Sequence, residues 1–423
     1  MKFLTALVFT ATGLAAFNAL GQSDRYVFDI IAEADPGGPN GFVSILSASM
    51  NTEGAVAFAA IAAGETVPAV FFTPDEPCDI DTDVNVCNAV GPVLNNDGWI
   101  VFLALDDEGG IIGISRYNPG SVPVSVHDAG DEVLGGIAST SGDPPDYIAY
   151  WSACLDPRAC GTIEQCVVVI DSDGAEQFSA CDDFPAAQLS APAINGDFLS
   201  YVRAEERSED RTLVLLENLV PVDPPPLVIS SDGLLTPPTI NAGGTVAVFC
   251  EDPDHQAGIY TVTDLGADLL EPLDGDKTPA LNTRPFINSN GAVAYTAIED
   301  DKQTVFAQND VESVAVIAEG DILIEDPRAG AVVTLDIFAR KGCQILFAAG
   351  LDDDGDDLVD RTILVRARYK FDLDNDGTVG ATDLVALLAA WGTDPGGPPD
   401  FDGDGIVGSS DLLSLLVNWG PCP

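Results

Sequence analysis

The 423-residue chain is poor in cations, with 17 Lys and Arg against 68 Asp and Glu and a formal net charge of −51. That scarcity excludes the basic footprint nucleic acid requires, and it argues equally against adhesion to anionic lipid. Only His127 and His255 can act as imidazole bases. No GxSxG elbow, HExxH helix or P-loop occurs. After the N-terminus, no segment approaches the ~20 apolar residues that cross a bilayer. None of the nine cysteines has CxxC or zinc-ligand spacing, which removes the usual redox and zinc signatures. Hydrophobic residues nevertheless make up 46% of the chain, so it folds, as one large domain or as two to three ordinary ones.

The first 22 residues, MKFLTALVFTATGLAAFNALGQ, place Lys2 before an apolar stretch from Phe3 to about Phe17. Ala19 and Gly21 supply small residues before Gln22, so residues 1–21 read as a secretory signal peptide and the mature chain as secreted, extracellular or on the cell surface. Export permits disulfides. Cys78 and Cys87 bracket eight residues and form a plausible local pair, whereas Cys154, Cys160, Cys166 and Cys181 allow three connectivities. Cys250 and Cys343 lie in apolar runs and read as buried free thiols, leaving Cys422 without a partner.

An internal repeat organises residues 22–368. SASMNTEGAVAFAA, GPVLNNDGWIVFLA, SAPAINGDFLSYVR, PPTINAGGTVAVFC and RPFINSNGAVAYTA share one form, and DYIAYWSA and CQILFAAG are degenerate copies. Their aligned aromatics, Phe58, Phe102, Tyr150, Tyr201, Phe249, Tyr295 and Phe347, are spaced 44 to 52 residues apart. Each copy joins an Asn-x-x-Gly turn to a short apolar run, and a second apolar run follows a polar turn. A period in the forties to fifties fits four strands per blade, so the expectation is a mainly β chain forming a seven-bladed β-propeller. The segment RYVFDIIAEAD from Arg25 resembles the unit-ending strands and is expected to pair with the last unit and close the ring. The repeat over residues 41–366 resembles uncharacterised tandem repeats of secreted bacterial proteins, particularly of planctomycete type, and that resemblance implies no activity.

Residues 369–423 carry a different pattern. Asp372, Asp374, Asp376 and Asp383 occupy positions 1, 3, 5 and 12 of a loop repeated 28 residues later by Asp400, Asp402, Asp404 and Asp411. Calcium takes six to eight oxygens at 2.3–2.6 Å, and a curled loop turns alternate side chains toward one centre. Gly377 and Gly405 at position 6 permit the sharp turn, and Thr378 and Ile406 at position 7 offer backbone carbonyls. Two Ca2+ sites are expected. A helix follows each loop, with Leu384, Leu387, Leu388 and Trp391 matched by Leu412, Leu415, Leu416 and Trp419 on one expected apolar face.

Paired loop–helix units with Asp at position 12 and no entering helix resemble the type I dockerin domain over Phe371–Gly420. The resemblance implies a small α-helical module that folds around calcium and docks onto cohesin-like or cell-surface proteins. Positions 10 and 11, a Ser/Thr pair in the family, are Ala381-Thr382 and Ser409-Ser410 here, which makes Thr382, Ser409 and Ser410 the candidate docking residues. Cellulosomal members usually carry Lys or Arg on the following helix; neither helix here has a basic residue.

Two weaker acidic runs remain. Asp352, Asp354, Asp356 and Asp360 read as a solvated hairpin tip rather than a third calcium site, because no acid falls at position 12. Asp79, Asp81, Asp83 and Asn85 imitate a loop start, but Val84 stands where Gly is needed. Without a catalytic constellation, the reading is a secreted calcium-binding protein whose propeller is a non-catalytic binding or structural module, with a glycan as a candidate ligand. The alternative is an extracellular polysaccharide hydrolase or lyase recruited by its dockerin, and no carboxylate pair can be singled out for it.

Overall fold

The structure is a computed structural model. It describes residues 24–423, except 37–41, 73–87, 119–120, 131, 141–144, 155–163, 184–186, 206–209, 230–232, 253, 281–282, 324–325, 327 and 329. The signal segment, Cys78, Cys87, Cys160 and the 79–85 acidic run lie outside the described residues.

The chain is mainly β, its strands arranged as small sheets in series. Sheets of four, four, six, five and five strands follow one another along the chain, and a seven-stranded sheet joins its two ends. In that large sheet, Tyr26–Ala34 runs antiparallel to Arg361–Tyr369, pairing Tyr26 with Tyr369 and Ala34 with Thr362. The expected closing strand is therefore observed. Asp29 on that strand meets Arg366 at 2.8 Å and Arg368 at 2.6 Å. Burial raises the Asp29 carboxyl, but hydrogen bonds and charge from Arg368 and Arg366 outweigh it and hold the group below its ordinary range. A depressed acid stabilises the fold above its unfolded pKa of about 4, and the contribution is lost as pH falls through the folded value. We expect Asp29→Asn to lower the urea midpoint at neutral pH, with the gap to wild type narrowing in acid.

The apolar runs lack strand-like alternation because both faces of these strands are covered. Side chains point alternately to opposite sides. Thus Val246, Val248 and Cys250 pack with Leu213, Leu215 and Leu227 of the preceding sheet. Ala247 and Phe249 between them pack with Val293, Tyr295 and Phe306 of the next. Similar cores join each remaining pair of neighbours. A further one, with Phe58, Ala60, Leu346 and Leu364, joins the end of the chain to its beginning. All seven aligned aromatics are buried, none more than 5% exposed.

The recurring Asn does more than start a turn. Asn288 Oδ1 accepts from the backbone N–H of Asn290 at 3.0 Å and of Ala292 at 2.9 Å. Its Nδ2 donates to the Gly342 carbonyl of the next unit at 2.8 Å. Asn95, Asn195 and Asn241 reach Thr140, Ile240 and Asn288 in the same way. Gly291, at φ +86°, takes the left-handed conformation that closes this turn. Asn288 is 2% exposed, so Asn288→Ala strands buried donors and an acceptor, and should cost about 3 kcal/mol in urea unfolding.

The cysteines give one confirmation and one correction. Cys166 and Cys181 face each other across adjacent antiparallel strands and form a disulfide. Cys154 is disulfide-bonded as well, and Cys250 is free and buried, as expected. Cys343 is not a free thiol, however, nor is Cys422 unpartnered: they form a disulfide with Cα atoms 5.6 Å apart. The C-terminal segment folds back onto the turn preceding Gln344–Asp352, and that brings together two residues 79 positions apart. No helix among the described residues is long and apolar enough to cross a membrane.

Candidate metal centres

Helices α1 (Ala381–Ala389) and α2 (Ser409–Val417) each follow one acidic loop. The two loops fold alike because their backbone needs are met at matching positions. Gly377 and Gly405 sit at φ +93° and +86° at position 6. Asn375 and Gly403 also take positive φ at position 4, a requirement that spacing alone did not reveal. Asn and Gly are the residues that tolerate this conformation best.

The carboxylates are held by the loops' own backbone. Asp383 Oδ1 accepts from the N–H of Leu373 at 2.6 Å, and its Oδ2 from Gly380 at 2.6 Å. Asp411 repeats this with Phe401 at 2.7 Å and Gly408 at 2.8 Å. Position 12 therefore ties the start of each loop to the first turn of its helix, reaching back to the N-cap residue as an acidic N3 group does. Gly377 donates to Asp372 Oδ2 at 3.0 Å, and Gly405 to Asp400 Oδ2 at 2.9 Å.

The side chains come together in two trios. Asp372, Asp374 and Asp383 each offer an oxygen within 4.8 Å of the others, and so do Asp400, Asp402 and Asp411. Oxygens around one ion at calcium's bond lengths lie within the same spread. Asp376 and Asp404 stand outside the trios, accepting from the N–H of Thr378 and Ile406 at 2.8 Å. Asp372 Oδ1 is buried and accepts no hydrogen bond. Burial, reinforced by the charges of Asp383, Asp374 and Asp376 and opposed by the Gly377 hydrogen bond, pushes the Asp372 carboxyl up to about 7. A hard cation would remove both penalties, so these residues fit one.

The helices depart from the expected apolar face. Leu387 and Leu415 are buried, and Leu384 and Leu412 are partly so, but Leu388, Trp391, Leu416 and Trp419 are each about half exposed. Each nine-residue helix lays a narrow stripe on the core and leaves the next turn's apolar groups in solvent. Thr382, Ser409 and Ser410 are also exposed.

The module is firmly seated. Phe371, Val379, Leu387, Val407, Leu415 and Cys422 share one core with Tyr26, Phe28, Ile345 and Phe347 of the closing sheet. Asn290 Nδ2 donates to the Gly377 carbonyl at 2.9 Å, and the Tyr369 hydroxyl to Asn418 Oδ1 at 2.9 Å. Asp372 lies beside the Cys343–Cys422 pair, so the first loop is built directly against the disulfide.

Of the remaining residues singled out by sequence, Asp352, Asp354 and Asp356 also bring oxygens within 4.8 Å of one another, away from the two loops. Asp352 accepts the N–H groups of Asp354, Gly355 and Asp357 at a hairpin tip exposed over residues 353–360. His127 sits on an outer strand, 3.4 Å from the Tyr150 hydroxyl. His255 Nδ1 is 2.8 Å from Asp252 Oδ1 in a strand-connecting turn.

No family model matches the chain, and no curated protein does. Solved structures resemble it in fold. Prolyl oligopeptidase B from Galerina marginata, bound to a 25mer macrocyclization substrate, aligns with a TM-score of 0.50 at 10% identity over 73% of this chain and 47% of its own. Porphyromonas gingivalis dipeptidyl peptidase 4 gives 0.44 at 12% identity over 78% and 53%. Virginiamycin B lyase from Staphylococcus aureus gives 0.42 at 11% over 81% and 99%. The chain thus spans about half the length of the two peptidases. With its small sheets in series, the chain has a β-propeller type of fold.

Proposed function

We propose that this is a secreted protein in which two C-terminal loops each bind one Ca2+, fold a dockerin-like module, and present it to a scaffold or cell-surface partner. The observation that carries the reading is the pair of matched carboxylate trios, each wired to its loop backbone and to its helix start. Asp372, Asp374, Asp376 and Asp383 would hold the first ion with the Thr378 carbonyl. Asp400, Asp402, Asp404 and Asp411 would hold the second with that of Ile406. Bound calcium would fix the loops and orient α1 and α2. The docking reading is supported by exposed Thr382, Ser409 and Ser410, and by the solvent-facing Leu388, Trp391, Leu416 and Trp419. A cohesin-like protein is the proposed class of partner.

The propeller is proposed to have seven blades. Seven junction cores among the described residues support that count, the last of them closing the ring. We assign it a non-catalytic binding role, with a glycan as ligand. Support comes from the two histidines, which lie in separate sheets: His127 on an outer strand contacts the buried Tyr150 and lies 3.9 Å from Glu132, and His255 contacts Asp252 in a turn. Incubating the calcium-loaded protein with a glycan panel, and measuring retention and product release together, tests this. Retention without release is expected. Release that disappears on mutating a carboxylate pair would make the chain a polysaccharide hydrolase or lyase instead.

A further inference from the structure

The first strands of successive units meet around a cavity of about 640 Å³, in the size range of small-ligand sites. Pro92, Pro237, Phe286, Ile337 and Phe338 wall it, and among the described residues Arg284 and Asp336 are its only charged lining groups. A smaller cavity of about 280 Å³ shares Arg284, Phe286 and Phe338 and adds Arg340, whose Nη2 donates to the Pro423 carbonyl, and Lys341.

Arg284 is poorly satisfied. Of its five N–H donors, Nη2 makes one long contact, 3.4 Å, to the Pro238 carbonyl. Its Nε is buried without an acceptor, and its guanidinium lies 5.3 Å from the Phe286 ring centroid. Asp336 is exposed to the same space. Burial lowers the pKa of Arg284 and raises that of Asp336, and each opposes the other's shift through its charge. The two groups face one cavity without forming an ion pair. In a chain of net charge −51, a cation with idle donors on a cavity wall marks a place prepared for a ligand anion.

We infer that this cavity binds a small sugar acid, its carboxylate on the Arg284 guanidinium, its hydroxyls donating to Asp336, and its ring against Phe286 and Phe338. The planar guanidinium matches a carboxylate with two parallel N–H bonds. Asp336 offers only acceptors, so the same ligand must bring donors, which hydroxyls supply without a second charge to desolvate. Inorganic phosphate offers neither an apolar face for the walls nor relief from repulsion by Asp336. The inference rests on the propeller being a binding module and names its ligand class.

The test is calorimetry of the full-length, calcium-loaded protein with digalacturonate and with its dimethyl ester, in about 0.15 M salt, where remote surface charge is screened. The free acid should bind about tenfold or more tighter than the ester, as a charge-assisted fork requires. Arg284→Gln should erase that preference, and Lys302→Gln, which alters an exposed lysine outside the cavity, should keep it. Equal affinity for acid and ester in the wild-type protein would overturn the inference, and this comparison stands even if the Arg284 variant fails to fold. Preference retained by folded Arg284→Gln would overturn it too, as would tighter binding of a dipeptide, whose ammonium could take the place of the hydroxyls. Cleavage of digalacturonate would leave the site standing but sink the non-catalytic reading. Binding of some other glycan, with no response to either probe, would do the reverse.

Discussion

Replacing Cys343 and Cys422 together by Ser should destabilise the protein by about 4 kcal/mol, the chain entropy released when a loop of this length is opened. The bridge spans 79 residues, running from the turn before the strand Gln344–Asp352 to the end of the chain. Both positions are buried, Cys343 at 3% and Cys422 at 1% exposure, so neither thiol can be solvated where it stands. The loss should appear as a lower unfolding midpoint, and a reductant should lower the wild-type midpoint at least as far, since it opens the Cys166–Cys181 bridge as well. Because Leu387, Leu415 and Val407 belong to the same core as Phe28 and Phe347, the module and the closing sheet should weaken together. A reductant without effect on the midpoint would contradict the linkage.

Arg361→Ala should cost as much, about 3–5 kcal/mol, for a different reason. The Arg361 side chain is 1% exposed and pairs with Asp326, also buried, and with Asp353 at 2.8 Å. Burial lowers its pKa, but hydrogen bonds and charge from Asp353 and Asp326 more than reverse this. Removing the guanidinium leaves Asp326 as an uncompensated charge in the core, where the penalty exceeds what the intact pair contributes. Arg361→Met combined with Asp326→Asn should therefore recover much of the loss. Urea unfolding of the single and double variants measures both effects, and equal destabilisation by the two would contradict the argument.

Much of the architecture was legible because it repeats. Aligned aromatics from Phe58 to Phe347 marked buried strands, and RYVFDIIAEAD was recognisable as the closing strand from its likeness to other unit ends. The loops from Asp372 and Asp400 were legible because coordination chemistry prescribes residue types at fixed intervals. What escaped was long-range. Cys343 sat in an apolar run and Cys422 near the chain end, and nothing local indicates that the module folds back between them. The Asn-x-x-Gly motif suggested a turn, whereas the Nδ2 bond of Asn288 to the next unit depends on how adjacent sheets pack. Leu388 and Trp391 have the spacing of a buried face but are half exposed, because periodicity tells which residues share a face and not how much partner surface meets it. Arg284 gave no signal either, since its idle donors follow from a cavity assembled by distant strands.

The most direct test of calcium binding is isothermal titration of the chelator-stripped full-length protein with CaCl2. Asp374 and Asp402 are the suitable probes, being exposed trio members whose replacement by Asn burdens the fold least. The account predicts two equivalents bound by the wild-type chain, one by Asp374→Asn or Asp402→Asn alone, and none by the double variant. A wild-type chain that binds no calcium, or a double variant that still binds two equivalents, would contradict it.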